Sequence, residues 1–250
     1  MWTDEELTQL EEEEHTLTEE ALVLMWIHLN YARSELEKEL RAFYQKYGKD
    51  GVVTYQEARK WVSSDDHTKR LIALYAVMNS QLDDLLDDLI GEFDLLLKDV
   101  IKKESEFFGT KLGDLSLNWG VDDLDWLERL EGNVELWKAR LKIDWKQSLL
   151  KKQHIDSVLE DLNTRFDSIE KVLEKLVLTE STAVGTIARR QILKDLGFTK
   201  YRFYSRPDER RCEVCGSMHG LTFPMTAYEV GVTASPLHPR CRCWEVPIRD

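Results

Sequence analysis

The sequence predicts a mainly α-helical protein: an elongated helical bundle or coiled coil, followed by a small α+β module at the C-terminus. Three observations carry this. Residues 1–179 contain no proline, whereas all five prolines fall between Pro207 and Pro247. Apolar residues in the first part recur at helical spacing over long stretches. All four cysteines sit in the proline-bearing part, at Cys212, Cys215, Cys241 and Cys243. The expected division is a long-helix body over residues 1–178 and a compact module over 179–250.

The elements follow in order. Thr16-Leu17-Thr18-Glu19 has the form of a capping box, in which a Thr oxygen accepts from the amide three residues on and the Glu reaches back. From there Leu22, Leu29, Leu36 and Phe43 recur every seventh residue, with Trp26, Leu40 and Tyr47 between them, and Gly48 and Gly51 end the helix. Thr54-Tyr55-Gln56-Glu57 reads as a second capping box opening a short helix to about Val62, and Ser63-Ser64-Asp65-Asp66 breaks and restarts the chain.

The next helix steps 3-4-4 through Leu71, Leu74, Met78, Leu82, Leu85, Leu89, Phe93, Leu96 and Val100. This eleven-residue repeat keeps its stripe nearly straight. A loop from Gly109 to Gly120 precedes a helix expected from about Asp122 to Leu178. There Val134, Leu141, Ser148, Ile155, Leu162, Ile169 and Leu176 hold one seam, and Trp145, Leu159, Phe166 and Leu173 the other. Ser148 and Lys152 weaken that seam locally. A short helix over about Thr182 to Leu196, closed by Gly197, leads to strands at Lys200–Ser205 and Trp244–Ile248. Helices this long offer surfaces for self-association as well as for an internal bundle.

Charge is uneven. The net charge is −13, but residues 180–250 hold 11 Lys and Arg against 8 Asp and Glu, which leaves 23 against 39 for residues 1–179. An acidic body repels phosphate along its length, while the basic tail permits a local DNA contact. The N-terminus is acidic and lacks the basic start of a secretion signal, and the longest apolar runs, Ala21–Ile27 and Leu71–Met78, are too short to span a bilayer. The expectation is a protein folded in a reducing cytosol with no membrane partner, where clustered cysteines read first as metal ligands.

The tail carries Cys212-Glu213-Val214-Cys215 and, 22 residues beyond, His238-Pro239-Arg240-Cys241-Arg242-Cys243. A Cys-x2-Cys turn puts two thiolates on one side of a knuckle. Cys241 and Cys243 point to one face of an extended chain, and His238 reaches the same centre across Pro239. Cys212, Cys215, His238, Cys241 and Cys243 thus offer five ligands for the four places of a structural zinc ion, with two disulfides as the competing reading. His219 is either a spare ligand or a turn residue. Arg206, Arg210, Arg211, Arg240 and Arg242 surround the cluster and suit pairing with acids or a phosphate backbone. No His-x-Glu partner, phosphate loop, Gly-x-Ser-x-Gly or His-Glu-x-x-His is present, so the cluster reads as structural and the protein as no enzyme.

Three stretches carry a family resemblance: Ser205-Arg206-Pro207-Asp208-Glu209-Arg210-Arg211-Cys212-Glu213-Val214-Cys215, Gly220-Leu221-Thr222-Phe223, and Pro236-Leu237-His238-Pro239-Arg240-Cys241-Arg242-Cys243. Together they resemble the C-terminal module of tailed-phage minor head proteins, the head-morphogenesis family that includes the Mu F-like proteins. Thr179-Glu180-Ser181 is similar to a Thr-Glu element of that family. Ser235-Pro236-Leu237 and Met218-His219-Gly220 depart from its pattern without removing a ligand. The resemblance covers about residues 179–247. It implies a non-enzymatic virion protein present in few copies, made in the host cytoplasm and then held in the phage head. Its partners would be portal protein, scaffold or major capsid chains, with roles in procapsid assembly and in packaging or delivery of DNA. The alternative from the residues alone is a zinc-ribbon nucleic-acid-binding protein or nuclease.

Overall fold

The computed structural model describes residues 2–53, 65–120, 122, 124–206 and 208–249. Four long helices, α1 (Asp4–Tyr47), α2 (Asp65–Phe108), α3 (Trp126–Lys151) and α4 (Ile155–Asp195), precede a small sheet. The sheet joins β1 (Lys200–Ser205), β2 (Thr222–Pro224) and β3 (Cys243–Ile248), with a short helix α5 (Glu213–Met218) between β1 and β2. The mainly α architecture with a C-terminal α+β module is the one expected. The chain forms two compact units that are not consecutive in sequence. One contains Met1–Val23, Gly91–Arg129 and Leu173–Asp250, and the other Leu24–Ile90 and Leu130–Val172.

Helix α1 begins earlier than the Thr16 box suggests. Its cap is Thr3, whose Oγ1 accepts from Glu6 N at 3.1 Å while Glu6 Oε2 accepts from Thr3 N at 2.7 Å. Thr16 lies inside the helix and donates to Glu12 O at 2.9 Å. No Gly or Pro interrupts residues 4–47, and Leu7 and Leu10 already bury an apolar stripe, so nothing stops the helix at Thr16. The stripe continues through Leu22, Leu29, Leu36, Leu40 and Phe43, all buried. The box at Thr54–Glu57 and the helix to Val62 lie outside the described residues.

In α2 the eleven-residue repeat is the buried face: every member from Leu74 to Val100 is buried and Leu71 is half-buried. The helix expected over 122–178 is two helices. Asp125 and Glu128 cap α3 reciprocally, at 2.9 and 3.0 Å, so it starts at Trp126. It ends where the seam weakens: Lys152 takes a left-handed φ of 56°, and Gln153 N donates to Ser148 O at 3.0 Å. Helix α4 then runs past residue 179 to Asp195 without the break expected near Thr182, because no Pro or turn-forming Gly falls there. Gly185 sits within it, where a Cβ would meet Glu14 Oε2 at 3.2 Å and Val100 Cγ1 at 3.3 Å. Gly197 closes it at φ 77°, as expected.

The unit formed by Leu24–Ile90 and Leu130–Val172 packs helical segments against one another. Ion pairs join them: His28 to Asp88 at 3.0 Å, Arg165 to Asp144 at 2.8 Å, and half-buried Arg33 to Asp167 at 3.7 Å. Gly51, at φ 75°, lies against the His154 ring and accepts from Ile155 N at 2.9 Å.

In the other unit the sheet order is β2-β1-β3, antiparallel throughout. Lys200 faces Ile248 and Ser205 faces Cys243 across β1 and β3. Leu7, Leu10, Phe108, Ile192, Leu193, Phe198, Trp244 and Val246 form one apolar core there, joining helix ends to the sheet.

Candidate metal centre

The geometry begins with a short knuckle. Cys212 is the N-cap of α5, its Sγ accepting from Cys215 N at 3.3 Å. That amide lowers the Cys212 thiol pKa and favours its thiolate. The second half is a turn in which Cys241 N donates to His238 O at 3.1 Å, with Arg240 at φ 61°. β3 then starts at Cys243. The fold brings all five predicted ligands together: Cys212, Cys215 and His238 form one group and Cys215, Cys241 and Cys243 another, each with ligand atoms within 4.8 Å of one another. Cys215 belongs to both groups and is buried, as are Cys241 and Cys243.

The four cysteines are free thiols. His238 Nε2 lies 3.2 Å from Cys212 Sγ and 3.1 Å from Cys215 Sγ, and Cys215 Sγ lies 3.7 Å from Cys241 Sγ. Two thiolates on one tetrahedral zinc stand about 3.8 Å apart, from Zn–S bonds of about 2.3 Å. The sulfur pair therefore has the span of a tetrahedron edge, far beyond an S–S bond of about 2.05 Å. His238 Nδ1 lies 2.9 Å from Pro239 O. A carbonyl only accepts, so Nδ1 carries the proton and Nε2 turns its lone pair to the sulfurs, the tautomer a metal requires. Burial lowers the His238 pKa, but the Pro239 carbonyl and the nearby cysteines outweigh it and raise it overall. Hydrogen bonding from Cys243 pulls the Cys241 thiol down to about 6, and the same contact pushes Cys243 up.

His219 is not gathered into these groups. Its Nδ1 accepts from Ser205 N at 3.1 Å and its ring packs against Tyr204 at 4.8 Å, so it caps the end of β1 as a turn residue. Three of the surrounding arginines pair with acids: Arg206 with Glu12 at 3.1 Å, Arg240 with Glu174 at 2.6 Å and Arg242 with Asp208 at 2.7 Å. Asp208 also accepts from Arg210 N at 2.9 Å, so it ties the approach to the knuckle to the first residues before β3. The Thr-Glu element supports the same loop from α4. Thr179 Oγ1 accepts from Arg240 N at 3.1 Å, and Thr182 Oγ1 donates to Cys241 O at 3.3 Å. Buried Glu180 accepts from Trp119 Nε1 at 2.7 Å and from Arg129 at 3.0 Å.

A second polar cluster escaped the sequence reading. Arg189, 2% exposed, donates to Glu104, which is wholly buried, and pairs with Glu11 at 2.6 Å. Glu14 lies beside Glu104. Burial raises all three carboxyl pKa values, Glu104 to about 7, and Glu104 and Glu11 push Glu14 further. Glu245 is also buried, held by Ser235 N at 2.7 Å and Tyr228 Oη at 3.1 Å, and burial lifts its pKa to about 7. One sequence signal was available. Continuing the eleven-residue repeat from Leu82 and Phe93 lands on Glu104, a carboxylate in an apolar seam.

No curated protein and no solved structure matches the chain. Residues 144–246 match the family described as Phage Mu protein F like protein. That stretch takes in part of α3, all of α4 and the module as far as residue 246, with all five of the clustered Cys and His residues. Over residues 144–246, then, the chain is similar to the Mu F-like family.

Proposed function

We propose that this chain is a non-enzymatic minor structural protein of a tailed-phage head, acting at the portal vertex during procapsid assembly. Residues 212–243 would form a zinc clasp. The observation that carries the reading is the coincidence of the family match with the Cys/His cluster. The donors fit zinc: soft sulfurs and an imidazole with its lone pair inward, at tetrahedral spacing. Cys212, Cys215 and His238 would hold the ion together with the Cys241/Cys243 pair. Bound there, the ion would cross-link the α5 knuckle to the start of β3, stabilising a segment with little core of its own. The long helices would supply contact surfaces for portal, scaffold or major capsid chains. The nucleic-acid reading is weaker, because Arg206, Arg240 and Arg242 already pair with carboxylates.

Mass spectrometry of purified procapsids and virions of the phage encoding this chain tests the role. The chain is expected in both particles at a few copies each. Its absence from both would refute the assignment.

A further inference from the structure

Helix α1 is apolar on two faces. Leu22, Met25, Leu29 and Ala32 are buried. On the opposite face Leu24, Ile27 and Tyr31 follow coiled-coil spacing, at 44%, 59% and 64% exposure, with exposed Val23 beside them. A helix apolar all round is normally covered all round. Helix α3 repeats the feature: Leu136, Ile143 and Leu150 recur every seventh residue and are about half exposed, while Val134, Leu141 and Trp145 fill its core side. Scattered exposed apolar residues need no partner, but two seams at heptad spacing do.

The two faces differ in charge. Exposed Glu19 and Glu20 precede the α1 seam, whereas exposed Arg140, Lys146 and Lys151 flank the α3 seam. The nearest acids to the α3 seam are engaged elsewhere, Glu135 with Lys138 at 2.6 Å and Asp144 with Arg165 at 2.8 Å. Two α3 faces brought together antiparallel about Ile143 would set Arg140 against Lys146, a like-charge clash. An α1 face laid antiparallel on an α3 face, Leu24 against Ile143 and Tyr31 against Leu136, instead brings Glu20 beside Lys146.

We propose that the α1 face of one copy docks on the α3 face of a second copy, so that the chain associates head to tail. Because the two surfaces differ, each added copy leaves one of each open, and the assembly closes as a ring or continues. The seams are short, so the contact is a weak one, of the class below about 1,200 Å² of buried surface. The inference rests on these surfaces alone and stands whether or not the chain is a head protein.

Sedimentation equilibrium of the full chain, from about 1 to 200 μM as suits a contact of that class, tests it with Ile27→Lys and Ile143→Glu. The wild type should associate with rising concentration, and each variant alone should do so at least tenfold more weakly. Mixing the two should restore association but stop at 1:1 pairs, since each variant keeps one intact face. A monomeric wild type across the range overturns the proposal. So does undiminished association of either variant, or a mixture no more associated than its components. Far-UV circular dichroism checks that both variants keep their helix, and Tyr31→Lys with Leu136→Glu replace any that does not.

Discussion

Replacing Cys215 by serine is expected to abolish metal binding and unfold the C-terminal module. Cys215 is 3% exposed and is the one residue common to both ligand groups. The two explanations for its burial predict different magnitudes. If Cys215 only fills space beside Phe203, Cys241 and Cys243, the change is nearly isosteric and costs about 1–3 kcal/mol for the buried hydroxyl. If it holds a structural ion, the loss draws on a binding energy of about 10–16 kcal/mol. Few domains exceed about 5–15 kcal/mol of total stability. The variant should therefore lack metal, lose near-ultraviolet dichroism from Tyr201, Tyr204 and Trp244, and become protease-sensitive between Cys212 and Cys243. A variant that keeps a protease-resistant module and loses only a couple of kcal/mol would assign Cys215 to packing.

Replacing Arg189 by methionine should have the second large effect, and that effect should depend on pH. Arg189 is the cation among buried Glu104 and Glu14 and partly buried Glu11. Removing one partner of a buried ionic network costs about 3–5 kcal/mol, because the remaining charge is stranded. The sign follows from the raised carboxyl pKa. Burial holds Glu104 at about 7, above its ordinary 4.5. Its protonated form therefore contributes stability that is complete below about 4.5 and is lost as pH rises through about 7. Without the guanidinium the carboxyls depend wholly on protons. Urea titrations followed by Trp fluorescence should show the variant close to wild type at pH 5 and several kcal/mol weaker at pH 8. Equal losses at both values would mean that Arg189 acts through packing alone.

The fold was legible wherever periodicity was long and unbroken. The α2 repeat predicted the buried face residue by residue from Leu74 to Val100, and both candidate strands formed. The helix ends were less legible because capping boxes are short and recur by chance. Thr16-x-x-Glu19 matches the pattern as well as Thr3-x-x-Glu6, and only the burial of Leu7 and Leu10 separates them. The break at Lys152 was visible as a weak seam at Ser148, but the left-handed turn that exploits it was not. The clustering of these five candidate residues was readable from spacing, since Cys-x2-Cys and Cys-x-Cys dictate local geometry. The Arg189 network was not, because its carboxylates come from α1 and α2, its guanidinium from α4, and only the tertiary fold joins them. Thr179 and Glu180 were singled out by resemblance, and the structure supplies their physical use: one holds the Arg240 amide, the other anchors Trp119 and Arg129.

The zinc clasp is the claim on which the account turns, and metal analysis of the purified full chain under reducing conditions tests it most directly. One zinc per chain is predicted, with sulfur and imidazole ligands in X-ray absorption and release when the cysteines are alkylated. A metal-free chain whose four cysteines are paired in disulfides would contradict it.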